Sequence, residues 1–268
     1  MAQWGILAGV NNPRVERLSF AFHSRDGRHD FSQAAPWDGD LGDFRCRLHR
    51  GTLEARPSVA YGDVDAARQA LEPHLRAWEL SLELDSNIRT EFRYTSAQVA
   101  GSQSTTGSGS VDTHAELAEV GVVADNLIVT EKHGAYPPPP PRQLATSPII
   151  EELLGWVRDL REGRQRMLVL AFLCHGLLTF EYGGKDERAA AKKLNVSANV
   201  LETLRKLSHK NDPKERRKVM GRKVELLTDA ERGWIEAVLP RLTRHVAEIE
   251  AGSSPPKLTM GDPDLPHL

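Results

Sequence analysis

The stretch Val64-Asp-Ala-Ala-Arg-Gln-Ala-Leu-Glu-Pro-His-Leu-Arg-Ala-Trp-Glu-Leu-Ser-Leu82 decides the fold class. Val64, Ala67, Leu71, Leu75, Trp78 and Leu82 recur in it at spacings of three and four, which is one helical face turned to a core. Pro73 stands inside the run, so a kink or a late start is expected where the ring crowds the preceding turn. On either side the period changes from three or four to two. Leu18, Phe20 and Phe22 alternate within Val15 to Phe22, and Phe44, Cys46 and Leu48 alternate with Arg45, Arg47 and His49. Ile88, Thr90, Phe92 and Tyr94 alternate with Arg89, Glu91 and Arg93, and Leu127 to Thr130 is a short β-branched run. Period two marks strands with one buried face. A helix among such strands reads as one helix packed across a curved antiparallel sheet.

Working outward, Ser24-Arg-Asp-Gly-Arg28 carries the Asp-Gly tight-turn signal, so Phe31 is expected to begin a strand returning along the first. Ser102 to Ser110 holds no apolar residue and reads as an exposed loop. Pro137 to Pro141 is a run of five prolines, which demands extended backbone and makes a stiff spacer. Beyond it the chain turns helical. Ser147-Pro148 is an N-cap followed by a first-turn proline. A buried core helix is expected over residues 163–180, shorter helices over 187–194 and 198–207, and a last helix opened by the capping box of Thr228 and Glu231. The fold class expected is α+β: an antiparallel β-rich domain with one long helix (1–135), a Pro-rich linker (136–146), an all-α helical bundle (147–250) and a tail (251–268).

Composition narrows the function classes. The chain has 268 residues, 27% of them charged, and a net charge of −2. Cys46 and Cys174 are the two cysteines, too few for a disulfide framework or a CxxC zinc site, and a reducing, cytoplasmic setting is expected. Met167 to Phe180 is the most apolar stretch, but its fourteen residues fall short of a membrane span. There is no GxSxG, P-loop, GxGxxG after a strand, or HExxH. Cys174 and His175 are adjacent, and helical neighbours point about 100° apart, a poor nucleophile–base alignment. His23, His29, Asp30 and His49 would meet at a metal only if strands 15–22, 30–33 and 44–49 paired, and polar-face histidines are far more often solvated. No catalytic residue, cofactor or metal is therefore expected.

The charge is unevenly spread. Lys185 to Lys223 holds thirteen Lys/Arg against five Asp/Glu, a net of +8, which leaves −10 for the rest of a chain totalling −2. Concentrated basic charge is the electrostatic footprint of phosphate binding. The first part of this segment resembles a helix-turn-helix over about twenty residues. Ala191 is the small residue on the first helix, Asn195 holds the turn, Val196 fills the apolar position after it, Ser197 caps the second helix, and Leu201 with Leu204 anchors it. Asn195 stands where Gly is usual, and Asn also accepts left-handed backbone. The resemblance implies Asn199, Glu202 and Thr203 nearest the bases. Lys192, Lys193, Lys206, Lys210, Lys214, Arg216, Arg217, Lys218 and Arg222 would grip the phosphates.

The C-terminal half also resembles helical domains of HEPN type from bacterial defence systems. That family's ribonucleases carry an Arg, a polar residue, and a His separated from the Arg by four to six intervening residues. Arg205-Lys-Leu-Ser-His209 and Arg241-Leu-Thr-Arg-His245 depart from that pattern, with three intervening residues each. The whole chain resembles a class of bacterial two-domain proteins with a β-rich front, a Tyr-Pro-rich joint and a helical back bearing Leu227-Thr228-Asp229-Ala230-Glu231-Arg232, a likeness that implies no function. The leading expectation is a non-enzymatic protein binding DNA, RNA or an acidic partner through the basic helical segment, in bacterial defence or regulation and away from membranes. The alternatives are a divergent HEPN-like ribonuclease and a scaffold or homo-oligomerising subunit.

Overall fold

The computed structural model describes residues 14–100, 131–210 and 226–268. The Ser102–Ser110 and Leu127–Thr130 readings lie outside them, as do Lys214, Arg216, Arg217, Lys218 and Arg222. The elements are β1 (Arg14–Ser24), β2 (His29–Asp30), β3 (Trp37–Leu41), β4 (Phe44–His49), β5 (Thr52–Pro57), α1 (Val64–Ser86), β6 (Thr90–Ala100), β7 (Glu131–Lys132), α2 (Pro148–Arg161), α3 (Met167–Gly183), α4 (Glu187–Lys193), α5 (Ala198–Ser208) and α6 (Asp229–Glu250). The class is α+β, with an antiparallel sheet and a helix in the N-terminal half and several helices in the C-terminal half. Two compact units divide the chain, Met1–Leu75 with Arg89–Pro138 and Arg76–Ile88 with Pro139–Leu268. The last of the three boundaries falls inside the proline run.

In the first unit five strands form one sheet in the order β3-β4-β5-β1-β6, antiparallel throughout. Alternation explains which face is buried. Phe44, Cys46 and Leu48 of β4 are buried while Arg45, Arg47 and His49 are exposed. Leu18, Phe20 and Phe22 of β1 join the core with Leu53 and Ala55 of β5, as do Ala67, Leu71 and Leu75 of α1. The outer face is held by cross-strand charge, Arg47 to Asp38 at 3.7 Å and Arg17 to Glu54 at 3.0 Å. Exposed pairs of this kind contribute about 0–1 kcal/mol each.

The expected return strand at Phe31 does not form. Both edges of β1 are taken, one by β5 and the other by β6. The Ser24–Arg28 turn closes through Asp26 instead, whose carboxylate accepts from Ser24 Oγ at 2.7 Å and Arg28 N at 3.1 Å. The chain then runs parallel to β7 in a separate two-stranded ribbon, His29 opposite Glu131 and Asp30 opposite Lys132.

In the second unit Ala77, Leu80 and Leu84 of α1 share a core with Ile150, Leu153, Leu154 and Val157 of α2 and Ile235, Val238, Leu242 and Val246 of α6. Pro73 lies within α1 without ending it. Two arginines of α2 close the C-terminus of α1, where carbonyls lack helical partners. Arg161 donates to the carbonyls of Glu83 at 2.5 Å and Leu84 at 2.7 Å. Arg158 meets the Glu83 carboxylate with two bonds, of 2.5 and 2.6 Å. The Ser147 cap and the Thr228–Glu231 capping box are both formed. Among the described residues no single helix is long and apolar enough to cross a membrane.

Candidate functional site

α4 and α5 are two short helices joined by a tight turn at Asn195. Asp186 caps α4 by accepting from Arg188 N, and α4 ends at Leu194. Asn195 takes a left-handed φ of 50°, the backbone reversal for which Gly or Asn is needed. Ala191, Val196, Val200, Leu201 and Leu204 are all buried, so the small, linking and anchoring positions hold the two helices together. Gly183, at the end of α3, lets α4 approach closely: a Cβ there would stand 2.8 Å from the Ala190 backbone nitrogen.

Asn at position 195 has a second use beyond its φ. Its side chain donates from Nδ2 to the Pro255 carbonyl at 3.0 Å. Leu258 N donates to Asn195 O at 3.2 Å and Ser197 N to Leu258 O at 2.7 Å, so the tail clamps the turn as a one-pair bridge beside Val196. Ser197 holds the N-cap position of α5 with extended backbone, but its hydroxyl makes no capping bond. The capping role expected of that side chain is not filled.

The predicted contact residues that the structure describes have different surroundings. Lys192, Lys193, Asn199 and Lys206 are exposed, and Thr203 and Lys210 are half-buried. Lys193 Nζ lies 5.4 Å from the centre of the Tyr182 ring. Lys206 reaches Glu202 at 2.7 Å and Lys210 reaches Glu231 at 2.8 Å. The hydrogen bond and charge of Lys206 hold the Glu202 carboxyl below its ordinary range. Burial pushes the Glu231 carboxyl up, but bonds from Lys210 and Thr228 outweigh it and hold that carboxyl low as well. Thr203, Arg205, Lys206, His209, Lys210 and Glu231 line a cleft of about 530 Å³. Lys206 and Lys210 therefore have local carboxylate partners, and the exposed Lys206–Glu202 pair is weak enough to be exchanged for phosphate.

Three residues beside this surface were not brought together by sequence. Glu187 Oε2 is 2.8 Å from His175 Nε2 and accepts from Arg205 Nε at 3.2 Å. They come from α3, α4 and α5, so no local spacing joins them. His209 Nδ1 lies 2.7 Å from the Arg205 carbonyl, which sets Nδ1 as the donor. The ring meets Phe172 edge-on at 5.9 Å.

The expectation that α3 is a buried helix is half wrong. Met167, Leu168, Leu170, Ala171, Cys174 and Leu178 are buried, while Val169, Phe172, Leu173 and Phe180 are exposed, Phe172 at 53% and Phe180 at 57%. Residues 169, 172, 173, 176 and 180 share one stripe, with exposed Gly176 in its middle. The signal was in the sequence: a helix apolar all round either is enclosed or presents an apolar face outward.

Other chemistry is disfavoured by geometry. Cys174 is fully enclosed and burial pushes its thiol up to about 12, so no thiolate nucleophile forms there. His245 is buried, its Nε2 is 2.8 Å from the Leu194 carbonyl, and burial lowers its pKa. It serves packing between α6 and the end of α4 rather than a solvent-borne reaction. His23, His29, Asp30 and His49 do not converge: β5 separates β1 from β4, and His29 and Asp30 belong to the other ribbon. No protein-family model matches this chain, and no curated protein or solved structure matches it.

Proposed function

We propose that this chain is a non-enzymatic binding protein that engages nucleic-acid phosphates through the surface of α4 and α5. The observation that carries the reading is the pair of helices α4 and α5 joined by the left-handed turn at Asn195, with Lys192, Lys193 and Lys206 exposed on them. Arg205, His209 and Lys210 line the adjoining cleft. Replacing a lysine–carboxylate pair by a lysine–phosphate contact releases condensed counterions, an entropic gain that the surface pairs lack. Asn199, exposed in the first turn of α5, is placed to meet base edges in this reading. The HEPN-like ribonuclease reading loses His245 to the core.

The test is fluorescence anisotropy of labelled duplex DNA and of RNA hairpins with the full chain across a salt series. Binding is expected in the micromolar range or tighter, with log K falling linearly in log salt and a slope of roughly −3 or steeper. A flat salt response, or no binding to either nucleic acid at about ten times that concentration, sinks the proposal.

A second reading is favoured by the exposed stripe of α3: a subunit that associates through Val169, Phe172, Leu173 and Phe180. Contiguous exposed aromatic area on a helix marks contact surfaces. Sedimentation equilibrium of the full chain is expected to show mass rising with concentration, and Phe172→Ser with Phe180→Ser to abolish the rise. A monomer at every concentration would argue against self-association.

A further inference from the structure

We infer that His29, Glu131 and His133 form a binding site for a divalent transition metal of the zinc or cobalt type. Their ligand atoms all lie within 4.8 Å of one another. His29 Nδ1 is 3.0 Å from His133 Nε2 and 3.8 Å from Glu131 Oε2. In a tetrahedral zinc site with bonds near 2.0 Å, neighbouring ligand atoms stand about 3.3 Å apart, so the His29–His133 and His29–Glu131 separations lie within about half an ångström of that spacing, and rotation of the exposed Glu131 side chain completes the set. Two imidazoles and a carboxylate suit zinc or cobalt better than the oxygen-seeking magnesium or calcium. Three protein ligands leave at least one position for solvent, and Glu131, with its side chain 69% exposed, opens the site to it.

The backbone builds this geometry. Glu131 and His133 are two residues apart along an extended segment and so share a face, and His29 lies directly opposite Glu131 in the β2–β7 ribbon. Glu131 N donates to Arg28 O at 2.7 Å, His133 N to Asp30 O at 2.9 Å and Ala35 N to Gly134 O at 2.8 Å. These bonds fix the register on both sides of the triad.

The rings are held as well. His133 stacks on Phe31 at 4.5 Å and 13°, and Phe31 stacks on Tyr136 at 5.6 Å and 11°. Tyr136 is pinned in turn: its hydroxyl donates to Phe31 O at 3.3 Å and accepts from Gly51 N at 2.8 Å. A wall that fixes a ring's orientation lowers the ordering cost of ligation. The carboxylates that face the pair, Asp26 toward His29 and Asp30 toward His133, favour a cation there; Arg28 and Lys132 oppose it. Asp26 and Asp30 are themselves occupied by local bonds, Asp30 accepting from Ser32 N at 2.8 Å.

The competing account is a plain hydrogen bond between the two imidazoles, and a titration separates them. The full chain, stripped with a chelator, is titrated with cobalt(II) and followed by visible absorption. One cobalt per chain is expected, with the intense bands of a four-coordinate ion, displaced by zinc. His29→Gln and His133→Gln are each expected to weaken binding at least about tenfold, and Glu131→Gln about tenfold. His23→Gln and His49→Gln should leave it unchanged. Circular dichroism checks that each variant folds; should His133→Gln fail through loss of its stack on Phe31, exposed Glu131→Gln and the wild-type spectrum carry the test. Absence of stoichiometric cobalt uptake overturns the site, as does uptake that His29→Gln and Glu131→Gln leave within about twofold of wild type.

Discussion

Arg158→Met is expected to destabilise the helical unit by about 3 kcal/mol, lowering its thermal midpoint by roughly 6–12 °C. The Glu83 side chain is 8% exposed and its carboxylate is met by both arms of the Arg158 guanidinium. Removing the cation takes from a buried carboxylate both bonds that the guanidinium gives it, and the desolvation cost left uncompensated there dominates over the Coulomb energy lost. The estimate sits at the low end for buried pairs because Arg158 is 28% exposed and lets water approach the vacated site. Removing both charges separates the two terms. Glu83→Leu combined with Arg158→Met is expected to recover to within about 1 kcal/mol of wild type, since an apolar pair of similar volume carries no desolvation cost. Arg47→Met, which loses an exposed partner at 3.7 Å, should cost under about 1 kcal/mol. Urea unfolding followed by the helical circular dichroism signal measures all three. Equal losses for Arg158→Met and Arg47→Met would show that the buried pair does not hold α2 to the end of α1.

That pair also marks where sequence reading stops. The elements themselves were legible because each rests on a local rule. Phe44, Cys46 and Leu48 alternate and are buried, the Thr228–Glu231 capping box forms, and Ala67, Leu71, Leu75, Trp78 and Leu82 of the opening stretch are all enclosed. What failed was non-local. The Asp-Gly turn was recognised, but which strand edge stood free for Phe31 depends on β5 and β6, which arrive later in the chain. Glu83 and Arg158 are separated by 75 residues and carry no shared spacing.

The sites divide the same way. Asn195, Val196, Leu201 and Leu204 were legible because the turn and its anchors lie within ten residues of one another. The tail's bonds to Asn195 and Ser197 were not, since Pro255 and Leu258 lie about sixty residues on. His29 was weighed as a metal ligand beside His23, Asp30 and His49 and set aside. Its neighbours are Glu131 and His133, the latter 104 residues away across a parallel pairing that alternation cannot reveal. A polar face with histidines looks alike in sequence whether its partner is solvent or another strand.

Lys192→Gln, Lys193→Gln and Lys206→Gln in combination are expected to weaken nucleic-acid binding roughly 100-fold at low salt and to flatten the salt slope by roughly 2.7. The second figure follows from three phosphates no longer neutralised, at about 0.9 each; the first corresponds to about 3 kcal/mol. Glutamine is preferred to glutamate here. Lys192 and Lys193 occupy the last turn of α4, where a negative charge would oppose the helix dipole and blur affinity with stability. Glutamine keeps the stem length and the helix propensity. Some stability is still lost at Lys193, whose ammonium lies over Tyr182, at about 0.5–1 kcal/mol for an exposed cation–π contact. Arg45→Gln, Arg47→Gln and Arg56→Gln together on the exposed sheet face are the matched control: they remove three charges elsewhere and should leave both affinity and slope unchanged. Equal weakening by the two sets would mean that binding responds to overall charge and that the α4–α5 surface has no special part in it. Asn199→Ala then asks a finer question. If α5 reads bases, its loss should change the preference among sequences by about 1–3 kcal/mol while leaving the salt slope alone; a uniform loss across sequences would place Asn199 on the backbone instead.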